Sequence, residues 1–351
     1  MLVLGLESSC DETGAALVDA EARVLADVVQ SQADVHARYG GVVPELASRD
    51  HLRNIGHVVR TALAKAGAQL SDVAGIAVTN RPGLVGALLV GVQAAKGLAW
   101  AAAKPLVGVD HLVGHVLSVF LRRGEGDPPL PAFPFVSLLV SGGHTAIYRV
   151  DAPRPEAITE LGATRDDAAG EAFDKVAKLL GLGYPGGPIV DELAARGDPA
   201  RVKLSVPMAS RDSLEMSFSG IKTQVARLVA GAGTTPDARW VADVCASFQA
   251  VVTGVLAQKT IAAAQREGVA DVVLGGGVAA NRELRDRIVR LGASRGIRAL
   301  VPPLASCTDN AAMIAYAGSL RLARGERDGW DLVATSRTLL ERRTRKGRGR
   351  R

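Results

Sequence analysis

The sequence predicts an α/β protein built as two duplicated lobes with a ligand cleft between them, and three observations carry that reading. Val3 to Glu7 and Ala15 to Val18 are short apolar runs joined by the polar turn Ser8-Ser9-Cys10-Asp11-Glu12-Thr13-Gly14, the pattern of a hairpin. Phe135 to Val140 and Ala146 to Val150 repeat that arrangement around Ser141-Gly142-Gly143-His144-Thr145. The 39 glycines cluster in short turns after apolar runs, as ligand-binding loops of an α/β fold do. At 351 residues, 48% hydrophobic and 22% charged, the chain can bury two cores. Gly124 to Pro134, rich in Pro, Gly and acid, reads as the linker, so residues 1–130 form one lobe and 131–325 the other.

Between the hairpins, Tyr39-Gly40-Gly41 turns into a helix with Pro44 near its start, where the missing N–H costs nothing. That helix runs through Leu46, His51, Ile55, Val58 and Leu63. Val73 to Val78 is a buried strand that ends in Thr79-Asn80-Arg81-Pro82-Gly83-Leu84, and Val85 to Ala102 is an apolar helix. Pro105 to Val109 is a further strand, which delivers the chain to His111. In the second half, Asp166 to Lys175 opens a helix ending near Leu182, and Tyr184 to Pro188 is a tight turn. Asp191 lies one turn into the next helix, and Ser217-Phe218-Ser219-Gly220 punctuates the stretch beyond it. The long helix Trp240 to Glu267 precedes the strand Asp271 to Leu274, the turn Gly275 to Asn281 and another helix. Ser306 to Asn310 then opens the last helix, Ala311 to Leu322, which borders the cleft.

The charge is uneven. From Arg337 to Arg351 eight Lys/Arg stand against Glu341 alone, a net of +7; taken from the total of +6, this leaves about −1 on the other 336 residues. Residues 337–351 therefore read as a basic disordered tail, a composition that also suits gripping a nucleic-acid backbone. Cys10, Cys245 and Cys307 are far apart and form no CxxC, which argues against a disulfide framework and fits a reducing cytoplasm. The N-terminus has no basic region and too short an apolar run for a signal peptide. The longest apolar stretch, Leu84 to Ala95, falls short of the roughly 18–20 residues of a membrane span. The expectation is a soluble cytoplasmic protein that engages no membrane.

The residues with chemistry are few. His111 and His115 stand four apart in a helical segment, which places both imidazoles on one face within about 5–6 Å, a spacing that suits one metal ion or simply two polar side chains. Asp11 and Glu12 lie in a glycine-ended loop, where acids are commoner as turn formers than as catalysts. Gly275-Gly276-Gly277 between strand and helix permits close approach of a nucleotide, or is only a tight corner. Asp309 stands where it could cap the following helix. A metalloprotease would need H-E-x-x-H; Leu112 follows His111, so its general base is missing.

Nine segments in order carry a wider resemblance: ESSCDETG from Glu7, GGVVPELASRDH from Gly40, PGLVGALLVG from Pro82, DHLVGH from Asp110 and LLVSGGHT from Leu138, then DDAAGEAFDKVAKLLGLGYPGGP from Asp166, SFSGIKT from Ser217, GGGVAAN from Gly275 and CTDNAAMIAYAG from Cys307. Together they span nearly all of residues 1–320, and the chain resembles the tRNA adenosine threonylcarbamoyltransferases of TsaD type, once named O-sialoglycoprotein endopeptidases. The PELASRDH form is similar to the bacterial branch. The resemblance implies the actin/hexokinase/Hsp70-like (ASKHA) fold. It implies transfer of a threonylcarbamoyl group from threonylcarbamoyl-adenylate to N6 of the adenosine 3′ of the anticodon, in tRNAs reading codons that begin with A, with release of AMP.

By position, the resemblance implies that His111, His115 and Asp309 hold one divalent ion, iron or zinc, and that Leu139, Val140, Ser141, Gly142 and Gly143 form the glycine loop touching substrate. Asp174, Gly187, Asp191 and Asn281 match positions that hold the adenylate, and Asp11 matches a loop acid important for activity. Implied partners are tRNA, an inactive paralogous ASKHA subunit, a small P-loop ATPase, and a separate synthase supplying the adenylate. A sugar-kinase or ATPase role follows from fold alone, which does not fix function. A catalytically inactive scaffold or nucleotide-binding subunit should have lost the histidine pair and Asp309, and this chain keeps all three. Asn80-Arg81 departs from the small residues usual before Pro82-Gly83, and the tail beyond about residue 336 has no family counterpart.

Overall fold

The computed structural model describes residues 1–124, 127–206, 208, 210, 212–231 and 237–342. The first sheet holds β1 (Val3–Glu7), β2 (Glu12–Val18), β3 (Val24–Ser31), β4 (Gly75–Arg81) and β5 (Leu106–Asp110). The second holds β6 (Phe135–Val140), β7 (Thr145–Val150), β8 (Ile158–Ala163), β9 (Asp271–Gly275), β10 (Arg298–Leu300) and the short β11 (Glu341–Arg342). Strand order is β3-β2-β1-β4-β5 in one and β10-β9-β6-β7-β8-β11 in the other. Reading the second from β8 gives the same order as the first, with β11 added at its edge. The pairing repeats as well: β1 and β6 each pair antiparallel with the next strand and parallel with β4 and β9. The duplication expected from the two hairpins is thus present strand for strand.

Helices fill the spaces between and around the sheets. The first half carries α1 (Ala33–Ala37), α2 (Pro44–Ala66), α3 (Val85–Ala102) and α4 (His111–Leu117). The second carries α5 (Ala169–Leu179), α6 (Gly186–Ala194), α7 (Ser219–Gly231), α8 (Ala238–Glu267), α9 (Arg282–Ala293), α10 (Leu304–Cys307) and α11 (Ala311–Ala323). Helix α2 begins with Pro44 at its first position and ends on Gly67 at φ 62°, the left-handed conformation that glycine adopts without strain. One apolar core lies under α2 and α3, one lies within the second lobe, and a third joins the sheets through α4 and α11. Helices α3 and α8 are long and apolar enough to cross a bilayer by length and composition. Here α8 is largely buried as the core helix of its lobe, and α3 packs its small-residue face on the first sheet.

Three sequence expectations need correction. A boundary of 131–325 would place the last helix in the second lobe, yet α11 packs against β1, β2, β4 and β5 of the first sheet. Small residues explain the return: a Cβ at Gly5 would meet Ala311 O at 2.4 Å, and one at Gly318 would meet Ala77 Cβ at 2.3 Å. The strand expected over Val73 to Val78 runs as β4 from Gly75 through Thr79, Asn80 and Arg81. The basic tail also begins later than residue 337. Thr338 Oγ1 and Leu339 N donate to Asp110 Oδ2 at 2.7 and 2.8 Å, Leu340 is buried, and Glu341-Arg342 pair with β8. Residues 343–351 of that tail lie outside the described residues. The Asn80 departure has a local use, because its Nδ2 donates to Val333 O and its carbonyl accepts from Thr335 N, fastening the C-terminal segment to β4.

Substituting Gly5→Ala is expected to destabilise the protein by about 1–3 kcal/mol, because backbone of α11 would have to shift. Gly97→Ala on the exposed side of α3, where a Cβ meets nothing within 4 Å, is expected to stabilise it by about 0.5–1 kcal/mol. Urea midpoints of the two variants against wild type should move in opposite directions.

Candidate metal centre and cleft

Strand β5 ends at Asp110, whose Oδ1 accepts the Leu112 N–H at 2.9 Å and so caps the short helix α4. That cap sets the register in which His111 and His115 share a face, with ring centroids 4.6 Å apart and planes at 88°. Asp309 comes from the turn before α11. It does not cap that helix; Asn310 does, accepting Met313 N at 2.9 Å. Asp309 is therefore free to meet the imidazoles, its Oδ1 lying 2.9 Å from His115 Nε2 and 3.6 Å from His111 Nε2. One ligand atom from each of the three residues falls within 4.8 Å of the others.

The residue that sequence reasoning missed is Glu7, at the end of β1. It is buried, and its Oε2 accepts from His111 Nδ1 at 2.9 Å and from Thr79 Oγ1 at 2.7 Å. A carboxylate accepting at Nδ1 places the proton there and leaves Nε2 turned toward Asp309, the arrangement in which metal-binding histidines are held. The signal was present in the ESSCDETG segment, but only the pairing of β1 with β4 and β5's delivery of α4 bring Glu7 under the helix. His115 Nδ1, by contrast, is buried and finds no partner among the described residues.

The electrostatics of the cluster favour positive charge at its centre. Burial alone would lower the His111 imidazole, but the charges of Glu7 and Asp309 raise it to about 9. Burial would raise the Asp309 carboxyl, and His111 and His115 hold it well below the usual carboxylate range. His115 is pushed down by burial, with His111 adding to the effect. His144, in the turn after β6, is lowered to about 4 by burial and then by His111 and His115, so the second lobe's hairpin turn faces the same cluster. Two imidazoles and a carboxylate in a site that attracts positive charge fit a divalent ion.

The acid loop lies beside this cluster and is braced from behind. His51 of α2 accepts from Thr13 Oγ1 at 2.8 Å and contacts Cys10 O at 3.0 Å through Nε2. Leu84 N donates to Ser9 O at 2.9 Å, and a Cβ on Gly83 would meet that oxygen at 2.6 Å. The PELASRDH and PGLVGALLVG segments thus act as scaffolding for residues 8–14. Glu12 of this loop is pushed well above its ordinary range, first by burial and then by Asp309 and Asp11.

Across the cleft, Leu139 and Val140 are fully buried side chains of β6 and can offer only backbone, whereas Ser141 is half-buried and Gly142 and Gly143 are exposed. Gly170 of α5 packs directly beneath them, where a Cβ would meet Ser141 O at 2.6 Å. Gly276, at φ 87°, has no room for a Cβ, which would strike Val140 O at 2.3 Å. Gly277 opens into free space beside it. Asp174 accepts Gly186 N at 2.7 Å at the start of α6, and is raised by burial with Asp11 contributing across the gap. Gly187 carries no obstructing neighbour. Asp191 and Asn281 meet at 3.2 Å, with Gln249 and Arg282 completing their network. The predicted residues therefore fall in three groups: the metal cluster with the hairpin turns, Asp174 and Gly187 around the start of α6, and the Asp191–Asn281 network.

A family model described as "TsaD: tRNA N6-adenosine threonylcarbamoyltransferase" matches residues 23–316. The chain belongs to the TsaD family. It is 64% identical to the tRNA N6-adenosine threonylcarbamoyltransferase of Sorangium cellulosum strain So ce56, over 99% of each chain. It is 50% identical to the enzyme of the same name from Geotalea uraniireducens, over 95% of each. Among solved structures, component A of the (R)-2-hydroxyglutaryl-CoA dehydratase of Acidaminococcus fermentans matches at TM-score 0.52 and 17% identity, covering 92% of this chain and 99% of that one. Full-length HypF in its phosphate- and nucleotide-bound form matches at TM-score 0.60 and 14% identity, covering 92% of this chain and 55% of that one. These two likenesses concern the two-lobed ASKHA architecture alone; the TsaD assignment rests on the family model and the sequence relatives.

Asp166 fixes the SFSGIKT segment of this TsaD chain. It accepts from Ser217 Oγ, Ser219 Oγ and the N–H groups of Phe218 and Ser219. Burial would raise its carboxyl, but those bonds hold it at about 2 against an ordinary 3.8. The unfolded chain takes up this proton first on acidification, so the stabilisation is complete above about pH 4 and drains as the pH falls toward 2. Asp166→Asn is expected to remove that part of the acid slope, measured as urea midpoints between pH 6 and 2.5; parallel curves would refute the assignment.

Proposed function

We propose that this chain transfers a threonylcarbamoyl group from threonylcarbamoyl-adenylate to N6 of the adenosine 3′ of the anticodon in tRNAs reading ANN codons, releasing AMP. The observation that carries the reading is the buried His111–His115–Asp309 cluster facing the Ser141–Gly143 turn, in a chain of the TsaD family. His111, His115 and Asp309 would hold one divalent ion, iron or zinc. When bound, such an ion supplies orientation and polarisation for oxygens of the threonylcarbamoyl group. Glu7 keeps the His111 ring turned for that duty.

The donor is a mixed anhydride whose carbonyl is already activated, so the protein's work is to hold it dry and aligned with the amine. Ser141, Gly142 and Gly143 offer backbone N–H groups for the phosphate or a carboxylate. Leu139 and Val140 contribute through their backbone and by fixing the turn. Asp174, Gly187, Asp191 and Asn281 line the place of the adenylate. Asp11, or a neighbour in its loop, accepts the N6 proton or positions the amine. The partners in this reading are tRNA, the inactive ASKHA paralogue and the small P-loop ATPase, in the cytoplasm, with a separate synthase making the adenylate.

The deciding experiment is a single-turnover assay with synthetic threonylcarbamoyl-adenylate and unmodified tRNA, with partner subunits and metal supplied. Wild type is expected to give modified tRNA, and His111→Ala to lose both bound metal and product. Equal product from both would discard the metal assignment, and none from wild type would return the scaffold reading.

The basic terminus supports tRNA as the polyanionic partner. Arg343, Arg345, Lys346, Arg348, Arg350 and Arg351 come after β11 with no acid among them. Deleting residues 343–351 leaves the Asp110 and β8 contacts in place and is expected to weaken tRNA binding. The slope of log affinity against log salt should flatten by about 0.7–0.9 for each phosphate that the shortened chain no longer neutralises. An unchanged slope in a filter-binding titration would remove the tail from the interface.

A further inference from the structure

We propose that Arg123 is a positioning residue for the metal centre, acting through the turn that carries Asp309. The proposal rests on the metal reading of the histidine cluster, and Arg123 itself touches neither the histidines nor Asp309 in any described contact. It lies beyond the end of α4, and its backbone N–H is fixed by Asp127 Oδ2 at 2.7 Å. Its guanidinium is largely buried and pairs with Asp27 of β3 at 2.7 Å.

The same fork reaches the other side of the turn. Nε donates to Ser306 Oγ at 2.8 Å, and Nη2 donates to Ala305 O at 2.9 Å and toward Asn310 Oδ1 at 3.4 Å. Asn310 brackets Asp309 on both sides, donating to Thr308 O at 2.8 Å and accepting from Met313 N at 2.9 Å. One planar cation therefore ties β3, α10 and the first turn of α11 together around the residue that presents the carboxylate. Asp309 sits on a turn between two helices, where the backbone ladder gives little hold, so its position depends on such bracing.

Two physical arguments favour geometry over stability as the use of this pair. Withdrawing a guanidinium and a carboxylate from water is costly enough that a buried ion pair is weak evidence of stabilisation. A lysine could keep the charge at Asp27, but only the rigid guanidinium fork meets Ser306, Ala305 and Asn310 at the same time. Groups hydrogen-bonded directly to a metal ligand are commonly worth about 10–100-fold in metal affinity, and Arg123, which acts one residue further out, is expected to be worth less.

The test uses the full chain, stripped of metal, with Zn²⁺ affinity measured against a competing chelator and Co²⁺ loading followed by its visible absorption. Arg123→Lys is expected to weaken Zn²⁺ binding by up to about 10-fold, the low end of the range for a group bonded directly to a ligand, and to change the Co²⁺ band. Ser306→Ala, which removes one acceptor and spares the ion pair, should weaken it by a smaller factor. Arg298→Gln breaks a more exposed Arg–Asp pair, with Asp271 at the start of β9, and should leave affinity and spectrum unchanged. Wild-type affinity and spectrum in Arg123→Lys and Ser306→Ala would overturn the proposal; if Arg123→Lys does not fold, Ser306→Ala decides alone. A wild-type chain that binds neither ion would overturn the metal reading itself, and this proposal with it.

Discussion

The close seating of helix α11 on the first sheet is the constraint on which the rest of the site depends. The helix reaches that position only because its neighbours lack side chains where it crosses them: Gly5 under Ala311 and Ala315, Gly318 over Ala77, and Gly114 against Met313 and Ile314. With larger residues at these places α11 would stand off by ångströms, and the turn before it could not bring Asp309 to 2.9 Å from His115. Met313 and Ile314, both fully buried, drive the contact. Burying each such side chain contributes about 1.5–3 kcal/mol, which works against the mutual repulsion of the Asp309 and Glu7 carboxylates.

That repulsion is the second organising fact. Glu7, Glu12 and Asp309 raise one another's carboxyls by charge, and such a gathering of carboxylates is eased where positive charge sits among them. His111 meets the need, held between Glu7 and Asp309 with its ring raised to about 9. The opposite behaviour of His115 and His144, both pushed down, follows from their being buried near a neighbour that already carries the charge. A site with this balance exchanges a proton for a metal cation at little electrostatic cost.

Much of this is legible in the sequence, and the parts that are not share a cause. The two hairpins reveal the duplication, because strand pairing between neighbours is a local pattern of apolar runs and turns. His111 and His115 are legible because helical spacing alone puts them on one face. Asp309 needs the family resemblance, since nothing local distinguishes a ligand from a cap; the structure separates the roles by giving the cap to Asn310. Glu7 belongs to the ESSCDETG segment, yet nothing local marks it as a site residue, because its contact with His111 spans 104 positions and depends on sheet order. The return of α11 to the first sheet escapes a local reading for the same reason. So does the anchoring of residues 338–342 on Asp110 and β8, where composition points to disorder and tertiary contacts decide otherwise.

Asp110 shows how such non-local contacts bear on the chemistry. One of its oxygens caps the helix that carries the histidines, and the other holds the C-terminal segment through Thr338 and Leu339. The first contact fixes α4 from its own sequence neighbourhood, and the second ties that helix to a segment more than two hundred residues away. Arg123 does the equivalent for the carboxylate side, joining β3 to the turn around Asp309. The two-lobed architecture by itself leaves the chemistry open. In this chain the chemistry-bearing groups, a pair of histidines and an aspartate, are delivered by separate elements, and the side chains that keep those elements in register decide whether they meet.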